Sequence, residues 1–284
     1  MSTIDKVAVL GAGTMGHGIA QVSAAIGCTV RMFDINDEAV SAGMNRIRGN
    51  LDKGIARGKV TEHERDATLA NLTTTTSIAE AVTGADLVVE AAPESMALKE
   101  SIFSEVDSAA PRHAILATNT SSLSIAQIAA SLEDPGRFVG MHFFNPVHIM
   151  ALVEVVWGPA TSEETRAAAV DFAHRLGKEP IVVKDAPGFA SSRLGIVLGM
   201  EAIRMVEQGV ASPEDIDKAM ELGYRHPMGP LKLTDLVGLD VRLGITEYLY
   251  ETLGSDAFAP PALLRQMVEE GKVGKKSGQG FYTW

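Results

Sequence analysis

Val7-Ala8-Val9-Leu10, followed by Gly11-Ala12-Gly13-Thr14-Met15-Gly16, decides how this chain is read. The pattern is an apolar strand, a G-x-G-x-x-G turn and the start of a helix. The first glycine permits a tight turn, the second lets backbone approach a pyrophosphate, and the third lets the helix pack close on the strand. The helix start then offers unpaired N–H groups and the positive end of its dipole to phosphates. Such a turn is common on its own, and its context carries the weight. A second apolar strand, Thr29-Val30-Arg31-Met32-Phe33, ends in Asp34. That acid lies about 20 residues beyond the glycines, where a ribose-binding carboxylate is expected. Asp34 would bond the adenosine ribose and repel a 2′-phosphate, which favours NAD over NADP. The alternative is a plain βαβ turn with no ligand.

The 284 residues suit one large domain or two ordinary ones, and 46% hydrophobic residues suit a globular core. A net charge of −11 argues against a broad nucleic-acid surface. The single cysteine, Cys28, opens an apolar strand and reads as a buried, inert thiol. It permits no internal disulfide, so a reducing compartment and a cytoplasmic location are expected. Strand residues begin by Lys6, leaving no room for a signal peptide, and no apolar run is long enough to span a membrane.

After Asp34, Val40, Met44, Ile47 and Leu51 mark one helix face, and Thr61-Glu62-His63-Glu64 is a capping box for another helix. Together they predict a helical hairpin. Arg46, Arg48, Lys53, Arg57 and Lys59 gather on it. They are either a solvated face or an anion site. Strands and helices then alternate through Ala85-Asp86-Leu87-Val88-Val89-Glu90, Ala114-Ile115-Leu116-Ala117, Phe138 to Phe144, Leu152 to Val156, and Ile181-Val182-Val183. Near Ala186 the pattern changes to helices and turns only. The expected fold is therefore α/β. It is a Rossmann-type doubly wound sheet of roughly eight strands with an inserted helical hairpin (1–185), followed by an all-helical C-terminal domain (186–284). The apolar character of that second domain suggests a subunit interface.

Two polar residues interrupt apolar strands: His142, between Met141 and Phe143, and Glu154, between Val153 and Val155. Burying a carboxylate there is costly without a partner. Consecutive strands could bring the imidazole to it. A carboxylate that fixes the tautomer of a histidine and stabilises its imidazolium makes a general base. The plainer reading is a structural histidine and an outward-facing glutamate. With a hydride acceptor supplied by the nucleotide motif, His142 would take a proton from an alcohol, and the Ser121 hydroxyl would hold the substrate oxygen. His148, on a loop after Asn145-Pro146, is a rival base. No metal-ligand spacing and no serine-hydrolase elbow is present.

On these residues the chain resembles the L-3-hydroxyacyl-CoA dehydrogenase family, most closely its short monofunctional 3-hydroxybutyryl-CoA dehydrogenases. The likeness runs over essentially the whole chain. It rests on Gly11 to Gly16, Asn119-Thr120-Ser121-Ser122, His142-Phe143-Phe144-Asn145-Pro146 and Leu152-Val153-Glu154-Val155. It continues through Pro187-Gly188-Phe189, His226-Pro227-Met228-Gly229-Pro230 and Gly274-Lys275-Lys276-Ser277-Gly278. The resemblance implies NAD-dependent oxidation of a 3-hydroxyacyl-CoA by a His142–Glu154 pair, with Ser121 on the 3-oxygen. It implies cofactor contacts from the turn Gly11, Ala12, Gly13, Thr14, Met15 and Gly16, and from Asp34, Glu94, Lys99, Ser121, Asn145 and Lys276. It makes the basic hairpin a coenzyme A site, with Asn50, Lys53 and Arg57, alongside Lys99 and Ser121, as substrate contacts. It implies a homodimer built on the helical domain, acting on an acyl-CoA substrate and not on nucleic acid or membrane. One position departs from the family: Ser192 stands where an asparagine is usual. Two other readings remain: a related NAD-dependent 3-hydroxy acid or sugar acid dehydrogenase, and a non-catalytic NAD-binding protein.

Overall fold

A computed structural model describes residues 3–284. Their contacts divide after Ala186 into two compact units.

The first unit is built in chain order from β1 (Lys6–Leu10), α1 (Gly16–Ala25), β2 (Thr29–Phe33), α2 (Asp37–Ala56), α3 (Glu62–Ala70) and β3 (Leu72–Thr75). It continues with α4 (Ile78–Val82), β4 (Leu87–Glu90), α5 (Met96–Ala109), β5 (Ile115–Thr118) and α6 (Ile125–Ala129). It ends with β6 (Phe138–Phe143), β7 (Leu152–Trp157), α7 (Glu163–Arg175) and β8 (Glu179–Lys184). The eight strands form one sheet in the order β3-β2-β1-β4-β5-β6-β7-β8. All neighbours are parallel except β6 and β7, which run antiparallel. The order reverses between β1 and β4, and ligands of such sheets bind at the carboxyl ends of the strands flanking that reversal. Strands β4, β5 and β6 are buried throughout, as expected of central strands covered on both faces.

The insert between β2 and β3 is the predicted hairpin of α2 and α3. Asn36 caps α2 by accepting from the Ala39 N–H, with Asp37 and Glu38 in the first turn favouring the helix dipole. Val40, Ile47 and Leu51 are buried on its inner face. The Thr61–Glu64 capping box is complete: the Glu64 N–H donates to Thr61 Oγ1, and the Thr61 N–H donates to Glu64 Oε2.

The second unit holds α8 (Ser191–Glu207), α9 (Pro213–Lys218), α10 (Pro230–Val237), α11 (Leu239–Leu253) and α12 (Ala262–Glu269). Ser212 caps α9 with proline at the first helical position. The core face of α8 carries Ile196, Gly199, Met200, Ala202 and Ile203. Leu194, an apolar residue of the same helix, is 68% exposed. Its position is two residues short of Ile196, which turns it about 200° away around the helix. The C-terminal tail is tied down by buried Asp235 on α10. Its carboxylate accepts from the Phe281 and Tyr282 N–H groups and from Trp284 Nε1–H. Any Cβ on Gly274 or Gly280 would strike Asp235 at 2.3 or 2.2 Å, so both tail glycines are required by this close approach.

Candidate active site

The glycine turn has the geometry its sequence predicts. Gly11 has φ +110°, and a Cβ there would lie 2.7 Å from the Ala91 carbonyl oxygen. A Cβ on Gly16 would lie 1.7 Å from the Gly11 carbonyl oxygen, so this glycine is what lets α1 start against the turn. A Cβ on Gly13 would meet nothing within 4 Å. That open side of the backbone is what an approaching pyrophosphate needs. Ala12, Thr14 and Met15 complete the turn. Asp34 follows β2, accepts from the Ala12 N–H at 2.8 Å and from the Ile35 N–H at 2.7 Å, and so stands beside the turn. The residues present therefore fit a dinucleotide: an open glycine, a helix N-terminus and a fixed carboxylate in place for the ribose.

His142 and Glu154 meet. They are register partners in the β6–β7 pair, so their side chains share one face of the sheet. Nδ1 of His142 lies 2.7 Å from Glu154 Oε2, with the imidazole 7% exposed and the carboxylate fully buried. An ionised glutamate only accepts, so Nδ1 carries the hydrogen and Nε2 has the lone pair that can take a proton. The reversal of β7 places Glu154, near the beginning of its strand, level with His142, near the end of β6. Both thus sit at the carboxyl ends of the parallel strands, the end where the glycine turn also lies. The ring of Phe144 covers the imidazole at 4.4 Å between centroids. Asn119 Oδ1 accepts from the Phe143 N–H and ties the end of β6 to the loop after β5.

Ser121 belongs to a cluster centred on Glu94. Oε1 of Glu94 accepts from Thr120 Oγ1 at 2.6 Å, from the Ser121 N–H at 2.9 Å and from Ser121 Oγ at 3.2 Å. Beneath it, fully buried Glu90 accepts from the Ala92 N–H, Lys99 Nζ and Thr118 Oγ1. Lys99 is placed differently from the expectation. Its side chain is 1% exposed, its ammonium donates to Glu90 at 2.7 Å and stands 3.5 Å from Glu94 Oε2. A buried cation is stable only with such partners. Lys99 is thus an internal strut for the Glu94 cluster, and neither it nor Ser121 lines the hairpin pocket where Asn50, Lys53 and Arg57 lie.

That pocket has a volume of about 1000 Å³ and runs between α1, the α2–α3 hairpin and the loop Asn145–Ile149. Lys53, Arg57 and Lys59 give it three cations, and Asn50 is held by Gln21 Oε1 at 3.1 Å. Asn145, joined to Pro146 by a cis peptide, forms part of the wall. His148, considered as a rival base, also lines this pocket, and burial lowers its pKa, as it does for His17 on α1. Three contributors were not anticipated in the sequence: Glu90, His17 and Lys178. The buried Lys178 ammonium donates to the carbonyls of Val147 at 2.5 Å and Met150 at 2.8 Å, pinning the pocket loop. A lysine directly after Gly177 gives no sign of that role.

Ser192 lies in the first turn of α8, and Lys276 sits in the tail, where its ammonium donates to Asp240 at 2.6 Å. Among the described residues no group of three or more His, Cys, Asp or Glu is arranged to hold a metal, and no helix is long and apolar enough to cross a membrane.

Comparison with known proteins places this architecture. Residues 6–186 match the 3-hydroxyacyl-CoA dehydrogenase NAD binding domain, and residues 188–284 match the C-terminal domain of the same family. A protein of Bacillus subtilis named "Probable 3-hydroxybutyryl-CoA dehydrogenase" is 47% identical over 281 residues, covering 99% of this chain and 98% of that one. Human mitochondrial hydroxyacyl-coenzyme A dehydrogenase is 43% identical over 288 residues, covering 99% of this chain and 91% of that one. The crystal structure of an (S)-3-hydroxybutyryl-CoA dehydrogenase from Ralstonia eutropha superposes with a TM-score of 0.96 at 43% identity, covering 99% of both chains. The chain belongs to the 3-hydroxyacyl-CoA dehydrogenase family of NAD-dependent oxidoreductases.

Proposed function

We propose that this chain oxidises short-chain (S)-3-hydroxyacyl-CoA thioesters, such as 3-hydroxybutyryl-CoA, reversibly to the 3-oxoacyl-CoA. The observation that carries this reading is the 2.7 Å contact between His142 Nδ1 and Glu154 Oε2 at the carboxyl end of the sheet. Nε2 of His142 takes the proton from the 3-hydroxyl. Glu154, buried and hydrogen-bonded, stabilises the imidazolium that results and holds the ring in orientation. Bound NAD supplies the acceptor for the hydride that leaves C3. Ser121, fixed through Glu94, orients the substrate oxygen.

The turn Gly11 to Gly16 and Asp34 hold the dinucleotide, with Glu94 and Asn145 as further contacts. The pocket between α1 and the hairpin takes the phosphates of coenzyme A on Lys53 and Arg57, with Asn50 beside them. A free hydroxy acid or sugar acid would have no use for a cationic cavity of this size. Leu194, Val210, Leu222 and Tyr224 are exposed apolar residues of the helical unit, and they support a homodimer formed there. The single buried cysteine accords with a reducing compartment such as the cytoplasm.

The deciding experiment mixes the protein with NADH and acetoacetyl-CoA and follows the loss of NADH absorbance. Turnover that needs the thioester supports the reading. Turnover of free acetoacetate at the same rate would replace it with a hydroxy acid dehydrogenase, and no turnover would leave a nucleotide-binding protein.

A further inference from the structure

Two imidazoles line the cationic pocket of the first unit: His17 from α1 and His148 from the loop after Asn145. The two elements are pressed together beside them. A Cβ on Gly18 would lie 2.8 Å from Val147 Cβ, so glycine is what lets α1 and the loop approach this closely. His17 and His148 are the chain neighbours of that contact. Lys178 holds the loop around His148, donating to the carbonyls of Val147 before it and Met150 after it. His17 is fixed in turn, with its Nδ1 2.6 Å from the Gly13 carbonyl oxygen. A carbonyl only accepts, so Nδ1 carries the hydrogen and Nε2 is the ring nitrogen left for a ligand.

The charged groups around this pair are mostly positive. Arg46, Lys53 and Arg57 come from α2, Lys59 from the turn after it, and Lys178 from β8, with the titratable His63 on α3. The Glu64 carboxylate, also on α3, lines the pocket but is engaged by the Thr61 N–H and hydroxyl. Without an anion, burial first and then the nearby cations disfavour a proton on either ring, and both pKa values lie below the ordinary 6.5. A phosphate group reverses that balance, because an opposite charge within hydrogen-bond reach favours the imidazolium. Both ring nitrogens then donate, so His17 can keep the Gly13 carbonyl on Nδ1 and give Nε2–H to the phosphate. Lysines in these two places would hold two more permanent charges beside Lys53 and Lys178. Imidazoles acquire theirs with the ligand.

We propose that His17 and His148 are phosphate ligands for the coenzyme A part of the substrate, and that they take up protons from solvent as it binds. The chain then favours an acyl-CoA over a phosphate-free thioester more strongly as pH falls through the imidazole range. The inference rests on the proposed function, in which this pocket takes coenzyme A.

The test compares kcat/KM for acetoacetyl-CoA with that for acetoacetyl-pantetheine, the same thioester without phosphates, with NADH as reductant. Proton transfer at His142 is common to both thioesters, so its titration cancels in the ratio. In the wild-type chain the ratio should fall by about fivefold or more from about pH 6 to about pH 8. Ionisation of the substrate's own phosphomonoester, near pH 6, acts the other way, since it strengthens binding to fixed cations as pH rises. The sign of the slope therefore discriminates. His17→Asn, which keeps a donor for the Gly13 carbonyl, and His148→Gln should each flatten the fall, and together they should abolish it. A wild-type ratio that is flat or rises with pH overturns the proposal, whether or not the variants fold. An equal fall in wild type and the double variant also overturns it and passes the titration to His63. No oxidation of NADH by acetoacetyl-CoA at any pH would count against the proposed function and this inference with it. Normal turnover beside a flat ratio would count against His17 and His148 alone.

Discussion

Glu154 holds His142 by a short contact, Oε2 to Nδ1, across an antiparallel strand pair in which the two residues are direct partners. Removing either should remove proton transfer without unravelling the sheet. His142→Ala and Glu154→Gln are each expected to lower kcat by about 10²-fold or more, the usual contribution of a general base. Stopped-flow or steady-state NADH assays read this directly. Near-normal turnover in both variants would dismiss the pair as the base.

Asp34 is expected to set cofactor choice. Its carboxylate is already fixed by the Ala12 and Ile35 N–H groups, so it cannot swing aside for a 2′-phosphate. Asp34→Ala should raise KM for NAD by about tenfold, since a hydrogen bond to a charged group contributes about 1.5–3 kcal/mol. The same variant should narrow the gap between NADH and NADPH. An unchanged NADPH rate would mean that discrimination lies elsewhere.

The hairpin cations are expected to act on the substrate only. Lys53→Glu with Arg57→Glu should raise KM for acetoacetyl-CoA by about tenfold or more and leave KM for NADH within about twofold, the loss corresponding to at least about 1.4 kcal/mol. The wild-type KM should also rise with salt more steeply than that of the variant. Parallel salt curves would show that the cluster is merely a solvated face.

Much of this was legible beforehand. The glycine turn, Asp34, His142 and Glu154 could be read because each breaks or closes an apolar run. The change of pattern near Ala186 was visible for the same reason, as period-two runs give way to helical spacing. Glu90, Lys99 and Lys178 were not, because each is a charge whose role depends on what folds over it. Glu90 reads as the polar end of a strand, and only the approach of Lys99 and Thr118 makes it a buried anchor.

Lys178 gives a pH prediction. Burial holds its ammonium below the ordinary pKa. Between that lowered value and about 10.4, the unfolded chain binds a proton that the folded chain does not, so folding stability rises with pH across the window. Lys178→Met removes this titration. The stability of wild type relative to the variant should therefore grow as pH rises towards about 10.4, the unfolded value, in denaturant titrations. A difference that stays flat would place the folded pKa at its normal value. The variant should also raise KM for the thioester, because the Val147 and Met150 carbonyls lose their shared donor.

Asp235 should be a stability determinant of the helical unit. Asp235→Asn turns one of the two acceptor oxygens into a donor; Oδ1 serves the Phe281 N–H and Oδ2 serves the Tyr282 and Trp284 donors, so one or two of the three bonds are lost, about 3 kcal/mol for hydrogen bonds to a buried charge. Calorimetry should show a fall in Tm of about 10 °C or more for a transition of this size. An unchanged Tm would mean that the tail is held mainly by its aromatic side chains.

The backward run of β7 has one more effect. Because that reversed strand returns beside β6, acid and base arrive from neighbouring stretches of one folding unit, and the glycine turn belongs to the same unit. Proton removal and redox chemistry are thereby encoded in a module whose parts are inherited together.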